Sequence, residues 1–378
     1  MNDILSYAWT NGLAFVFILS VIVFIHEMGH FLVARMNGVR VEVFSIGFGP
    51  ELFGWNTRSG TRWKVSLLPL GGYVKFFGDA NAASMPDAEA KEMTDAEKAV
   101  SFPFKRLPQR AAIVVAGPLA NFVLAIAIFA VLFATIGQRV TPPDISTVIP
   151  DSAAAEAGLQ PGDLVLRIDD QPISRFEDMQ AIVRESAGET LRMVVRRDGK
   201  EVAVTITPRA VEREDRFGNV QRFGLIGVTR AGVTFVKLDP IAAVGAAFTE
   251  TGSLSVATLR AVGQIIKGTR GTEELGGPVR IIQLSGQVAK EGPLTVFWFM
   301  ALLSINLGLI NLMPVPMLDG GHLLFYAFEA LRGRPLSERT QEYGFRIGLA
   351  MVLALIVFAT WNDLVQLRLV DYVVGLFS

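Results

Sequence analysis

The sequence predicts a polytopic α-helical membrane protein of about four transmembrane helices. A membrane-associated β-rich loop is expected on the cytoplasmic side and an inserted β-rich domain on the other. Three observations lead there. Hydrophobic residues make up 51% of the 378, and the mean hydropathy of +0.41 is high for a water-soluble globule. Four apolar runs, at 13–34, 111–136, 294–312 and 347–361, approach the ~20 residues that cross ~30 Å of hydrocarbon, the last only marginally. Basic residues cluster beside alternate ends of these runs: Arg35 and Arg40, then Lys105, Arg106 and Arg110, then the Arg-rich stretch 331–346. By the positive-inside rule those segments face the cytoplasm, and both termini and the region between runs two and three lie outside.

A net charge of −1 gives no electrostatic case for nucleic acid. There is no cysteine, which excludes disulfides, thiolate metal sites and a cysteine nucleophile. Any metal must be held by His, Asp, Glu or Asn.

The first run is not expected to be a cleaved signal peptide, because the twelve residues before it carry no Lys or Arg and the run itself holds "HEMGH". Ionisable groups in hydrocarbon cost several kcal/mol and are functional by default. At 100° per residue His26 and His30 lie about 40° apart and one turn along the axis, so both imidazoles can reach one ion. Glu27 points elsewhere and is free to take a proton from water. The same pattern arises by accident in soluble helices, but an apolar span gives accident little room.

The loop 35–110 reads as short strands and turns: "VEVFSIGFGP", "TRWKVSLLPL" and "GGYVKFFGD" are β-branched and aromatic runs punctuated by Gly and Pro. Its hydrophobic stretches suggest contact with lipid or helices, and the acidic 79–99 reads as a surface connector. In the second run, "AGPLANF" (116–122) offers small residues for close helix approach and one polar group, Asn121, which is a packing motif and no more on this reading. The outer region at 140–235 alternates turns and strands around one helical stretch, with a hairpin turning at Asp198-Gly199. Residues 241–290 have helical spacing broken by Glu250, Arg260 and Lys267, which predicts amphipathic, membrane-adjacent helices.

The third run ends in "NLGLINLMPVPMLDGGHLLF" (306–325). Pro314 and Pro316 break the helix, and irregular backbone at membrane depth is tolerated only where it lines a cavity or is buried in protein. Catalytic zinc takes three protein ligands and leaves a position open. Asp319, the only carboxylate between Glu291 and Glu329, is the preferred third ligand. His322 competes for that role and reads better as an outer or interfacial histidine. Runs one and three both pass from outside to inside. His26 lies about 20 Å below the outer boundary at 1.5 Å per residue, and Asp319 lies past the middle of its span, so the two can meet. Asn311 either donates to a reacting carbonyl or caps freed backbone.

Together "HEMGH", "GFGP", "GGYVKF", "AGPLANF" and "NLMPVPMLDGG", in that order along nearly the whole chain, resemble the site-2 protease family of intramembrane metalloproteases. The bacterial regulator of sigma-E protease branch is the nearest. The resemblance implies a zinc metalloendopeptidase of the bacterial cytoplasmic (inner) membrane that cuts transmembrane segments of single-span proteins. Examples are an anti-sigma factor already trimmed by an upstream site-1-type protease, or signal-peptide remnants. It implies zinc held by His26, His30 and Asp319, with Glu27 as general base and Asn311 helping to hold substrate. It further implies that Gly71, Gly72 and Tyr73 pair with an unwound substrate strand and that the segment of Pro314 and Pro316 clamps its other side. Finally, it implies a single extracytoplasmic PDZ-like domain at about 142–210, where many members of the branch carry two. The division expected is 1–139, 140–235 (PDZ-like), 236–292 (amphipathic connector) and 293–378. Two rival readings are a non-catalytic PDZ-bearing scaffold with a structural metal, which would not need Glu27, and a metal transporter, which would more often show paired repeats.

Overall fold

The structure is a computed structural model that describes residues 2–79, 93–214, 220–230, 232, 234–268 and 276–366. It resolves into two compact units, one formed by Met1–Ala130 with Val244–Ser378 and the other by Val131–Ala243.

The chain opens with α1 (Asn2–Met36), a largely apolar helix that ends beside Arg35, a cation in the last turn where the helix dipole favours it. Strands β1 (Val41–Asn56) and β2 (Arg62–Phe76) follow. The sequence predicts short strands and turns here, punctuated by Gly and Pro. Instead β2 runs through Gly71 and Gly72, and Gly71, at φ 122°, only bends it. The bend lets β2 flank Val43–Ile46 of β1 on both sides, with Arg62–Val65 on one and Gly72–Lys75 on the other. Phe44, Val74 and Phe76 are buried with Ala34 of the preceding helix, which clamps the base of the hairpin. Phe53, Trp55, Leu67 and Leu68, further out, are exposed.

Helix α2 (Asp95–Val100) starts in a capping box. Glu97 N donates to Thr94 Oγ1 and Thr94 N donates back to the Glu97 carboxylate. The rest of the acidic connector, 80–92, lies outside the described residues. Helix α3 (Leu107–Thr135) tolerates Pro118 within its apolar length.

The Val131–Ala243 unit contains β3 (Gln138–Val140), β4 (Ile145–Val148), α4 (Ala153–Glu156), β5 (Leu164–Ile168), β6 (Gln171–Pro172), α5 (Phe176–Glu185), β7 (Leu191–Arg197), β8 (Lys200–Ile206), β9 (Arg209–Glu214), β10 (Val220–Leu225), β11 (Val228–Arg230) and β12 (Thr234–Val236). The central sheet has the order β6-β5-β7-β8. Its β7–β8 hairpin turns where expected: Asp198 (φ 50°) and Gly199 (φ 79°) are both left-handed, as a type I′ turn requires. Phe176, Met179 and Val183, one face of α5, are buried over Ile168, Met193 and Val195. Strand β4 pairs with β11 and β3 with β12. The unit therefore needs residues well beyond 210, and its ends meet in the β3–β12 pair.

Within it, Arg197 grips the buried Asp163 carboxylate with two hydrogen bonds of 2.7 Å, and Gln160 N adds a third at 2.9 Å. Burial opposes ionisation of Asp163, but these donors outweigh it and hold the carboxyl below its ordinary value. A depressed folded-state pKa means a stabilisation that is complete above the ordinary carboxylate range and is lost as the pH falls through the folded value. Calorimetry should therefore find that Asp163→Asn lowers the unfolding temperature of this unit at neutral pH. The gap from the parent protein should close in acid; a gap constant down to the acid limit would refute the coupling.

After the insertion come α6 (Pro240–Ile266), α7 (Pro278–Glu291), α8 (Pro293–Leu312), α9 (Asp319–Arg332) and α10 (Glu338–Gln366). Asp363, buried in α10, accepts hydrogen bonds from Gly277 N (2.8 Å) and Arg280 N (3.0 Å) and so caps α7 from a different helix. Ile18 and Ile22 of α1 pack with Phe299 and Met300 of α8. Four helical stretches are long and apolar enough to cross a membrane: Asn11–Met36, Leu107–Thr135, Pro293–Leu312 and Arg339–Val365. Helix α6 is also long but does not meet that criterion.

Candidate metal centre

Helix α1 presents His26 and His30 one turn apart, with ring centroids 4.8 Å apart and ring planes at 85°. Both are buried, and their Nε2 atoms are 3.3 Å apart. Helix α3 can lie close enough to touch them because the facing residues are small. A Cβ on Gly29 would overlap the Ala116 carbonyl oxygen, and one on Gly117 would overlap the His30 ring. His30 Nδ1 lies 2.8 Å from Ile113 O. A carbonyl oxygen can only accept, so Nδ1 carries a proton, and in the neutral ring the Nε2 lone pair is then free.

Asp319 follows the break expected at Pro314 and Pro316, but it does not lie within the third span as expected. Helix α8 stops at Leu312, and Asp319 begins α9. The prolines end the first helix. Met317, at φ 85°, reverses the chain, a conformation that an unbranched non-glycine residue adopts only when its surroundings hold it. Gly320 and Gly321 then let the new helix tuck against the carbonyls of Leu312, Met313 and Val315, which a Cβ at either position would overlap. The carboxylate is thereby set at a helix N-terminus, with Oδ2 3.2 Å from His26 Nε2 and Oδ1 3.5 Å from His30 Nε2.

These separations of 3.2, 3.3 and 3.5 Å are a test of what the donors could hold. A tetrahedron with metal–ligand bonds of about 2.0–2.1 Å has edges of about 3.3 Å. Two imidazole nitrogens 3.3 Å apart, with one oxygen of the Asp319 carboxylate beside each, are donors of the kind and spacing that fit zinc. Among the described residues, this is the one group of three such side chains close enough to share an ion. His322 is not in it; its ring packs against Phe345 at 5.2 Å.

A cavity of about 190 Å³ opens onto this trio, lined also by Glu27, Asn311, His322, Met317, Leu318 and the strand segment Gly72–Val74. The Val74 main chain hydrogen-bonds Glu27, and Gly72 passes so close that a Cβ would stand 3.2 Å from Glu27 Cγ. Tyr73 stacks on Phe48, with ring centroids 6.0 Å apart. Gly71 lies outside the lining, beside the Phe48 ring. Pro314 and Pro316 also lie outside it; Pro316 packs under Gly348 of α10.

Sequence reasoning gave Asn121 only a packing role. The structure buries it completely and places its Nδ2 3.1 Å from His26 Nδ1. The signal available was a lone amide inside an apolar run, but nothing local names its partner.

The model of Peptidase family M50 matches residues 14–355. A relative from Agrobacterium fabrum, "Putative zinc metalloprotease Atu1380", is 47% identical, covering 93% of this chain and 95% of its own. A similarly named relative from Rhizobium meliloti is 48% identical over 93% and 95%. "Metalloprotease MmpA" of Caulobacter vibrioides is 39% identical over 96% and 97%. Among solved structures, the PDZ domain of an SdrC-like protein from Listeria monocytogenes is 23% identical and covers 23% of this chain and 84% of its own, but its TM-score of 0.18 supports no structural conclusion. A family model that spans most of the residues, and relatives nearly half identical from end to end, outweigh the scaffold and transporter readings: this chain belongs to peptidase family M50, the site-2 proteases, and is a membrane zinc metalloprotease.

Proposed function

We propose that this metalloprotease cuts peptide bonds inside the transmembrane segments of single-span membrane proteins, with His26, His30 and Asp319 as zinc ligands and Glu27 as general base. One juxtaposition carries the reading. Glu27 stands on a helix of membrane-crossing length and shares a cavity with the strand segment Gly72–Val74. A peptide bond in a transmembrane helix is shielded by its own hydrogen bonding, so the helix must unwind before it can be cut. An extended stretch of substrate can then add to a strand beside Glu27, with main-chain hydrogen bonds replacing those of the helix. Zinc, when bound, polarises a carbonyl oxygen and lowers the pKa of water toward ~7. Glu27 takes the attacking water's proton and passes it to the leaving amine. Asn311 lines the same cavity, and its amide holds the substrate main chain in this reading.

The exposed Phe53, Trp55, Leu67 and Leu68 suit a hairpin that lies in lipid. The Lys/Arg pattern supports a place in the cytoplasmic membrane with the hairpin inside and the Val131–Ala243 unit outside. The test is to compare membrane proteomes of cells carrying the parent protein and Glu27→Gln. Single-span fragments trimmed by an upstream protease should accumulate in the variant, and identical proteomes would overturn the proposal.

The outer unit, read as PDZ-like, controls access by excluding substrates that still carry bulky ectodomains. Capture of a substrate C-terminus is the second reading, favoured by a groove of about 230 Å³ between α5 and residues 223–228. Because Val140 pairs with Thr234, residues 141–233 can be excised and the strands rejoined by a short turn. Under exclusion the shortened enzyme should cut untrimmed substrates that the parent refuses. Under capture it should cut trimmed ones more slowly, and unchanged selectivity would count against exclusion.

A further inference from the structure

Asn121 is wholly buried, and its Oδ1 has no hydrogen-bond partner among the described residues, while Nδ2 points at His26 Nδ1. In that orientation Nδ2 donates to Nδ1 and leaves the proton of the neutral His26 ring on Nε2, the nitrogen that faces Asp319, where a metal ligand must offer a lone pair. The two ends of an amide are nearly isosteric, so rotating it by 180° brings Oδ1 to His26 Nδ1 at the same distance. We propose that Asn121 is a positioning residue for the metal centre: its Oδ1 accepts a hydrogen bond from His26 Nδ1–H, which leaves the His26 Nε2 lone pair facing Asp319 and the metal. The inference rests on the zinc-ligand assignment above.

The other histidine follows the same rule. His30 Nδ1 is held by Ile113 O, two turns earlier on the same helix, with Gly117 between them giving room for its ring. One helix therefore supplies an oxygen acceptor to each histidine and selects the same tautomer in both. Ser304 Oγ of α8 donates to the Asn121 main-chain oxygen at 2.8 Å, which holds the residue's backbone in place from the third side. Outer partners of ligating histidines fix ring orientation, and their loss costs about 10- to 100-fold in metal affinity.

The experiment measures zinc affinity of the full-length protein by equilibrium chelator competition, with no reference to proteolysis. Asn121→Leu, of similar volume, and Asn121→Ala should each bind zinc about 10- to 100-fold more weakly. Asn121→Asp keeps an oxygen for Nδ1–H and should stay within a few fold of the parent. A purely structural role predicts the opposite order, because an unpaired buried carboxylate disrupts packing more than a buried leucine. Parent-like affinity in the leucine and alanine variants, or an aspartate variant as weak as they are, would overturn the proposal. His26→Ala separates the two levels: if it leaves zinc affinity unchanged, the ligand assignment itself falls and this role with it.

Discussion

Glu27→Gln is expected to abolish nearly all turnover while leaving zinc content unchanged. Glutamine has the same length and shape, and its amide oxygen can still accept from the Val74 main chain that steadies Glu27. It cannot accept a proton at neutral pH. General bases contribute about 10²–10⁴-fold, so cleavage of a membrane substrate by the purified variant should fall by that factor. Metal should survive because Glu27 is outside the trio of side chains close enough to share an ion. Zinc content by elemental analysis, alongside single-turnover cleavage, gives both readings from one preparation. A loss smaller than about tenfold would move proton transfer to another group, and a loss of zinc would make Glu27 part of the metal site.

Asp319→Ala should empty the metal site, whereas His322→Ala should not. Without the carboxylate, two imidazole nitrogens 3.3 Å apart face the cavity with no third ligand. Loss of a mere outer partner costs up to about 100-fold in affinity, so loss of a ligand should cost at least that, with activity gone in parallel. His322 lines the same cavity but is turned against Phe345, and its removal should weaken turnover more than zinc retention. The reverse result, a metal-free His322→Ala and a metal-loaded Asp319→Ala, would refute the ligand assignment.

Much of this arrangement is legible along the chain because its signals are local. The four apolar stretches announce themselves by composition, and the helical repeat alone puts His26 and His30 on one face. Asp198-Gly199 announces a turn because few other pairs accept two left-handed residues. Asp319 could be singled out because it is a lone carboxylate beside a broken helix.

What the sequence could not decide depends on partners distant along the chain. Whether Gly71-Gly72 would turn or merely bend was settled by pairing with Val41–Ile46, where the bent strand buries Val74 and Phe76. The placement of Asp319 on its own helix was settled by two glycines that close onto the carbonyls of the preceding turn. The extent of the inserted unit was settled by β4 and β3 finding β11 and β12. Asn121 meets a histidine 95 residues away, and no neighbour in sequence specifies that meeting. A helix turn or a tight hairpin satisfies its own hydrogen bonds and can be read where it stands. A buried polar group or a strand edge must be satisfied by whatever the whole chain brings to it, and only the folded structure selects that partner.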